Sequence, residues 1–180
     1  KDKSLYPVFS YVFAGLDPLN GDPQGFYKGQ VSKDYRNMLR DSIQNLSYHG
    51  TALPPYYGAF RNEFNWKNMS VSFNISYKFG HYFQKETIRY ASLYNSWISH
   101  KDYEKRWVKP GDELTTTVPS MNYPADTNRD TFYANSEANI EKGDIVKLQD
   151  VQFSYAPDCS RFLSSKKLNV RLFYNANNVC

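Results

Sequence analysis

The stretch MSVSFNISYKF, Met69 to Phe79, alternates without a break: Met69, Val71, Phe73, Ile75, Tyr77 and Phe79 fall on one face of an extended chain, and Ser70, Ser72, Asn74, Ser76 and Lys78 on the other. Immediately upstream, Phe60, Phe64 and Trp66 share a face while Arg61, Glu63 and Asn65 take the opposite one, which predicts a second strand ending at Trp66. Only Lys67 and Asn68 separate the two runs, the spacing of a two-residue hairpin. Eleven residues at roughly 3.3 Å each reach about 36 Å, and a tilt of about 45° projects this to about 25 Å, the height of the apolar band of an outer-membrane barrel. Soluble strands more often stop at about five or six residues. Alternation alone fits a soluble β-sandwich, whereas the length and the aromatics at both ends (Trp66; His81, Tyr82, Phe83) fit a membrane barrel.

Further strands follow downstream. In Ile145 to Tyr155 the residues Val151, Phe153 and Tyr155 share one parity, but Val146 and Leu148 belong to the other, so a bulge is expected near Gln149-Asp150. Leu168, Val170, Leu172 and Tyr174 alternate with Asn169, Arg171 and Phe173 to give a partner strand after a connection holding Pro157 and Cys159.

Between and before these strands the chain is polar. Pro7 to Phe13 reads as extended and leads into LDPLNGDPQG, Leu16 to Gly25, where Pro and Gly exclude a regular element. Asp17, Asn20 and Asp22 lack the ligand spacing of an EF-hand, and turn chemistry explains them better than a calcium loop. A short helix is expected over residues 33–46, capped by Ser32, with Tyr35, Met38, Leu39, Ile43 and Leu46 on one stripe. Residues 84–144 read as a long insertion with little regular structure beyond one irregular helix between Thr87 and His100. Its aromatics Trp97, Tyr103, Trp107 and Tyr133 are candidates for contact with a sugar or a protein partner, or for packing the loop on itself.

Composition narrows the function. The chain has 180 residues, 22 Lys and Arg against 18 Asp and Glu, and 17% aromatic residues including 16 Tyr and 12 Phe. The mean hydropathy is −0.70. The net charge of +4 is spread out, with no basic block, which argues against a nucleic-acid partner. No run approaches about 18 apolar residues, so a membrane-spanning helix is excluded, and Lys1 to Ser4 begins no signal peptide. Cys159 and Cys180 allow one disulfide at most and match no metal spacing. His49, His81 and His100 are isolated, no nucleophile elbow or phosphate-binding glycine loop occurs, and no carboxylate pair is marked out among the glutamates. Neither catalysis nor a cofactor or metal is expected. Three Asn-x-Ser sequons occur, but that at Asn74 comes from strand alternation.

Four stretches, in order, carry a family resemblance. YPVFSYVFAGLDPLNGDPQGFYKGQVSKDY (Tyr6 to Tyr35) resembles an outer-loop segment, and YYGAFRNEFNWKNMSVSFNISYKFGHYF (Tyr56 to Phe83) a hairpin of membrane strands, of the SusC/RagA family of TonB-linked outer-membrane transporters of the Bacteroidetes type. HKDYEKRWVKPGDELTTTVPSMNYP (His100 to Pro124) and KGDIVKLQDVQFSYAP (Lys142 to Pro157) resemble the loop and strand that follow. The resemblance implies an all-β fold of antiparallel membrane-spanning strands, part of a TonB-dependent-receptor barrel of about 22 strands around a plug. It implies a SusD-like surface lipoprotein as lid, TonB as energy source, outer-membrane lipid around the strands, and glycan or peptide fragments as cargo. It divides the chain into an extracellular loop region (1–55), a strand hairpin (56–83), an extracellular loop (84–144) and a second hairpin (145–176). The plug and most of the strands are missing, so a portion of a longer protein is expected. Ser70, Ser72, Asn74, Ser76 and Lys78 would face the lumen and their odd-numbered neighbours lipid. The alternative is a soluble β-sandwich glycan-binding module.

Overall fold

A computed structural model of the protein describes residues 5–157 and 170–177. Cys159, Leu168, Asn169 and Cys180 lie outside the described residues. In chain order the strands are β1 (Pro7–Ser10), β2 (Gly15–Leu16), β3 (Pro23–Tyr27), β4 (Gln30–Ser32), β5 (Ser47–Thr51), β6 (Tyr56–Trp66), β7 (Met69–Phe79), β8 (Tyr82–Gln84), β9 (Ile140–Lys142), β10 (Ile145–Tyr155) and β11 (Leu172–Asn177). The helices are α1 (Tyr35–Met38), α2 (Tyr90–Ser96) and α3 (Thr127–Ala134). Two compact units result: Lys1–Leu53 with Tyr82–Lys142, and Pro54–His81 with Gly143–Cys180.

The second unit is a four-stranded antiparallel sheet in the order β11-β10-β7-β6. The β6–β7 hairpin is the one the alternation predicts, with Trp66 paired to Met69 and Tyr56 to Phe79. Lys67 takes φ +52°, the left-handed backbone that a tight two-residue hairpin asks of its first turn residue. Between β10 and β7 the register shifts between Leu148 and Asp150, the expected bulge. It places Leu148 opposite Ile75 and Val151 opposite Phe73, so both parities of β10 reach one face. The strand expected over 168–174 is found at Leu172–Asn177, with the described Val170 and Arg171 outside it, Leu172 opposite Tyr155 and Tyr174 opposite Phe153.

The first unit corrects two expectations. Residues 33–46 do not form one helix: α1 spans a single turn, and a separate 3-10 turn covers Ile43–Asn45. The short polar side chains between them compete for the backbone. Asp41 Oδ1 accepts the Ser42 amide at 2.8 Å, and Ser42 Oγ accepts the Gln44 amide at 3.3 Å. Asp34, not Ser32, caps α1 by accepting the Asn37 amide at 3.2 Å. Nor is 84–144 an unstructured insertion. With 1–53 it builds a core: Tyr35, Met38 and Phe132 form one buried cluster, and Ile88, Tyr90 and Val118 another.

Candidate functional site

Register turns the single alternation of β7 into two whole faces. Across β6, β7, β10 and β11 the rows Trp66–Met69–Tyr155–Leu172 and Phe64–Val71–Phe153–Tyr174 lie side by side, followed by Asn62–Phe73–Val151–Ala176 and Phe60–Ile75–Leu148. Every position in these rows except Asn62 is apolar or aromatic. Phe64 stacks on Phe73 with ring centroids 6.2 Å apart, and Tyr77 on Phe79 at 5.6 Å. Phe64 is 61% exposed and Trp66 68%. Among the described residues every buried hydrophobic side chain belongs to the first unit and none to this sheet, whose one buried residue is the polar Ser72. This is the reverse of a water-soluble sheet, which hides its apolar face.

The other face holds the lumen candidates. Ser70 lies between Asn65 and Ser154, Ser72 between Glu63 and Gln152, Asn74 between Arg61 and Asp150, and Ser76 between Ala59 and Lys147. Lys78 follows, between Tyr57 and Ile145. Hydrogen bonds tie this face together: the Ser70 and Ser154 hydroxyls are 2.6 Å apart, and Asn74 Nδ2 donates to Gln149 Oε1 at 2.9 Å. The face is therefore a ladder of hydroxyls and amides with charges of both signs, able to hydrogen-bond a passing polar solute and unable to hold an apolar one by burial. Arg61, Glu63, Lys147, Asp150 and Gln152 are the members that the reading of β7 alone misses; strand pairing adds them.

The loop aromatics separate. Trp97 is 90% exposed at the left-handed end of α2, with φ +56°. Tyr103 is half-buried, and the Arg106 guanidinium lies 4.0 Å from its ring centroid. Trp107 and Tyr133 are corrections to the list of contact candidates, because both are buried. The Trp107 indole donates to Glu113 Oε2 at 3.0 Å and packs on Gly21, where any Cβ would collide with its ring. Burial pushes the Tyr133 phenol pKa up.

What organises this unit is Arg129, which nothing in the sequence singles out from its polar tract. Its nearly buried guanidinium donates to Asp22 Oδ1 at 2.8 Å, Asn122 Oδ1 at 3.2 Å and the Ser120 carbonyl at 2.9 Å. The Asp17 to Gly25 turn is thus held by side chains, as its composition implies. Asp17 Oδ1 accepts the Leu19 amide at 2.9 Å, and its Oδ2 accepts from Lys33 Nζ at 2.6 Å. The Lys33 hydrogen bond, aided by the Leu19 amide, holds the Asp17 carboxyl below its ordinary range. Asp130 is shifted the other way, raised by burial, while its Oδ2 accepts the Ala91 amide at 2.8 Å.

No family model matches the chain, and no curated protein matches it. Among solved structures it is similar to a chain of the RagAB peptide transporter, with a TM-score of 0.65 and 18% identity over 96% of this chain and 18% of that one. It is similar also to a chain of the RagAB peptide importer in the "closed-closed" state, with a TM-score of 0.65 and 16% identity over 96% of this chain and 19% of that one. The chain spans less than a fifth of the length of these solved chains. Its fold is the all-β, antiparallel strand-and-loop fold of one portion of a β-barrel transporter chain.

Proposed function

We propose that the chain is part of the barrel of an outer-membrane nutrient importer of the SusC/RagA kind. In this reading β6, β7, β10 and β11 cross the outer membrane, their aromatic rows face lipid, and the Ser70 to Lys78 ladder lines the lumen. Residues 1–55 and 84–144 lie outside the cell, where they meet a SusD-like surface lipoprotein. TonB acts through a plug elsewhere in the longer protein. The chain binds and conducts glycan or peptide fragments and carries out no catalysis. Similarity to a peptide transporter favours peptides among these cargoes. One observation carries the reading: a predominantly apolar face along the whole of the eleven-residue β7, extended by its paired strands, with no buried hydrophobic of its own. Lipid is the solvent such a face requires, and no described helix is long and apolar enough to take over the crossing.

The test compares arginine on the two faces at matched depth. Phe73 stands beside Ser72, whose partner on β10 is the exposed Gln152. In the full-length protein folded into bilayers, Phe73→Arg is expected to cost roughly 2 to 4 kcal/mol and Gln152→Arg less than about 1 kcal/mol. Equal costs contradict the lipid-facing assignment.

A further inference from the structure

The first unit holds a cleft of about 440 Å³ that conduction along the sheet does not use. Lys85, Glu86, Thr87, Arg89, Ser92 and His100 line it. Their side chains are committed to different degrees. Thr87 donates its hydroxyl hydrogen to Asp102 Oδ2 at 3.0 Å, and Lys85 Nζ lies 3.2 Å from Glu141. His100 Nδ1 lies 3.2 Å both from the Asp102 amide and from Asp102 Oδ2; with Nδ1 accepting from the amide, the hydrogen of the neutral ring stands on Nε2 as a donor. Arg89 is exposed, just before α2; its carbonyl accepts the Leu93 amide at 3.0 Å, and its side chain has no ion pair or hydrogen bond among the described residues. Five N–H donors in a fixed fork therefore stand unfilled at a cleft whose other fixed charges are one ammonium and one carboxylate.

We infer that this cleft binds a carboxylate-bearing ligand, with the Arg89 guanidinium as bidentate anchor and Lys85 and His100 as flanking donors. A guanidinium fork matches the two oxygens of a carboxylate in spacing and plane, which a lone ammonium does not. The volume suits one or two residues of an oligomer. An acidic peptide side chain and a uronic acid of a glycan present the same carboxylate, so either source satisfies the site. The inference concerns this unit alone and holds whether or not the sheet crosses a membrane.

The experiment is calorimetric titration of the purified full-length protein with amidated triglutamate and with trigalacturonate, each against its neutral counterpart, triglutamine and galactotriose. At least one acidic probe is expected to bind about tenfold or more tighter than its neutral counterpart. Arg89→Gln should abolish that preference, Arg89→Lys should keep part of it, and Ser92→Glu, which sets a carboxylate in the cleft, should abolish it again. Arg89 makes no contact whose loss would unfold the unit, so Arg89→Gln decides the matter if Ser92→Glu misfolds. Equal binding of acidic and neutral probes, no binding of either acidic probe at millimolar concentration, or an undiminished preference in Arg89→Gln overturns the inference.

Discussion

Asn74 Nδ2 donates to Gln149 Oε1 at 2.9 Å, across the point where β10 carries one residue more than β7. That extra residue lets Leu148 and Val151, three apart in sequence, lie in neighbouring rows of the same apolar face. If Gln149 instead took a regular place in the ladder, Val146 and Leu148 would join the polar face and Lys147 would turn to the apolar side. Deleting Gln149 leaves Leu148 opposite Ile75 and Asp150 opposite Asn74 in regular alternation, so the folded, heat-modifiable form is expected to persist on cold denaturing gels. Gln149→Ala, which loses one exposed hydrogen bond, should shift unfolding by no more than about 1 kcal/mol. Loss of the folded form in the deletion would show that Gln149 is not the extra residue of the bulge.

Arg129 joins the Asp17 to Gly25 turn to Ser120, Asn122 and α3. Replacing it with Met removes every donor at once and leaves Asp22 facing a buried site. The expected loss is roughly 3 to 5 kcal/mol of local stability. Hydrogen exchange should report it as faster exchange in 15–25 and 118–135, with β7 unchanged. Unchanged protection of 15–25 would mean that Arg129 does not organise the turn.

The Asp17 carboxyl, lowered chiefly by its hydrogen bond from Lys33, gives the same turn an acid-sensitive component. A carboxylate whose folded pKa lies below its unfolded value stabilises the fold fully above the unfolded value, about 3.9, and loses this contribution as pH falls through the folded value. Acid unfolding of the first unit, followed by near-ultraviolet circular dichroism, should therefore be less steep below about pH 4 in Asp17→Asn. An identical acid limb in both proteins would remove Asp17 from the account.

Much of the sheet was legible in the sequence because period-two alternation is a local property. Met69 to Phe79 needs no partner to declare its faces, and the parity switch around Gln149-Asp150 announces its bulge. The first unit was less legible because its order comes from contacts distant in sequence. Arg129 and Asp22 are 107 positions apart, and nothing local marks either as a partner of the other. For the same reason Trp107 and Tyr133 looked like exposed loop aromatics until their neighbours Gly21, Glu113, Thr87 and Thr117 were in place. The helical stripe Tyr35 to Leu46 misled because hydrophobic spacing says nothing about the backbone hydrogen bonds that Asp41 and Ser42 take for themselves.

The central claim, that β7 separates lipid from a watery lumen, is tested most directly by spin labels at single cysteines placed in turn at each position from 70 to 78. The full-length protein, with Cys159 and Cys180 changed to serine, is reconstituted in liposomes, and accessibility to oxygen and to a water-soluble nickel complex is measured at each site. The account predicts two out-of-phase oscillations of period two. Oxygen should peak at Val71, Phe73, Ile75 and Tyr77, and nickel at Ser70, Asn74, Ser76 and Lys78, with Ser72 weaker because its neighbours cover it. Nickel accessibility at Phe73 and Ile75 equal to that at Asn74 and Ser76 would contradict it.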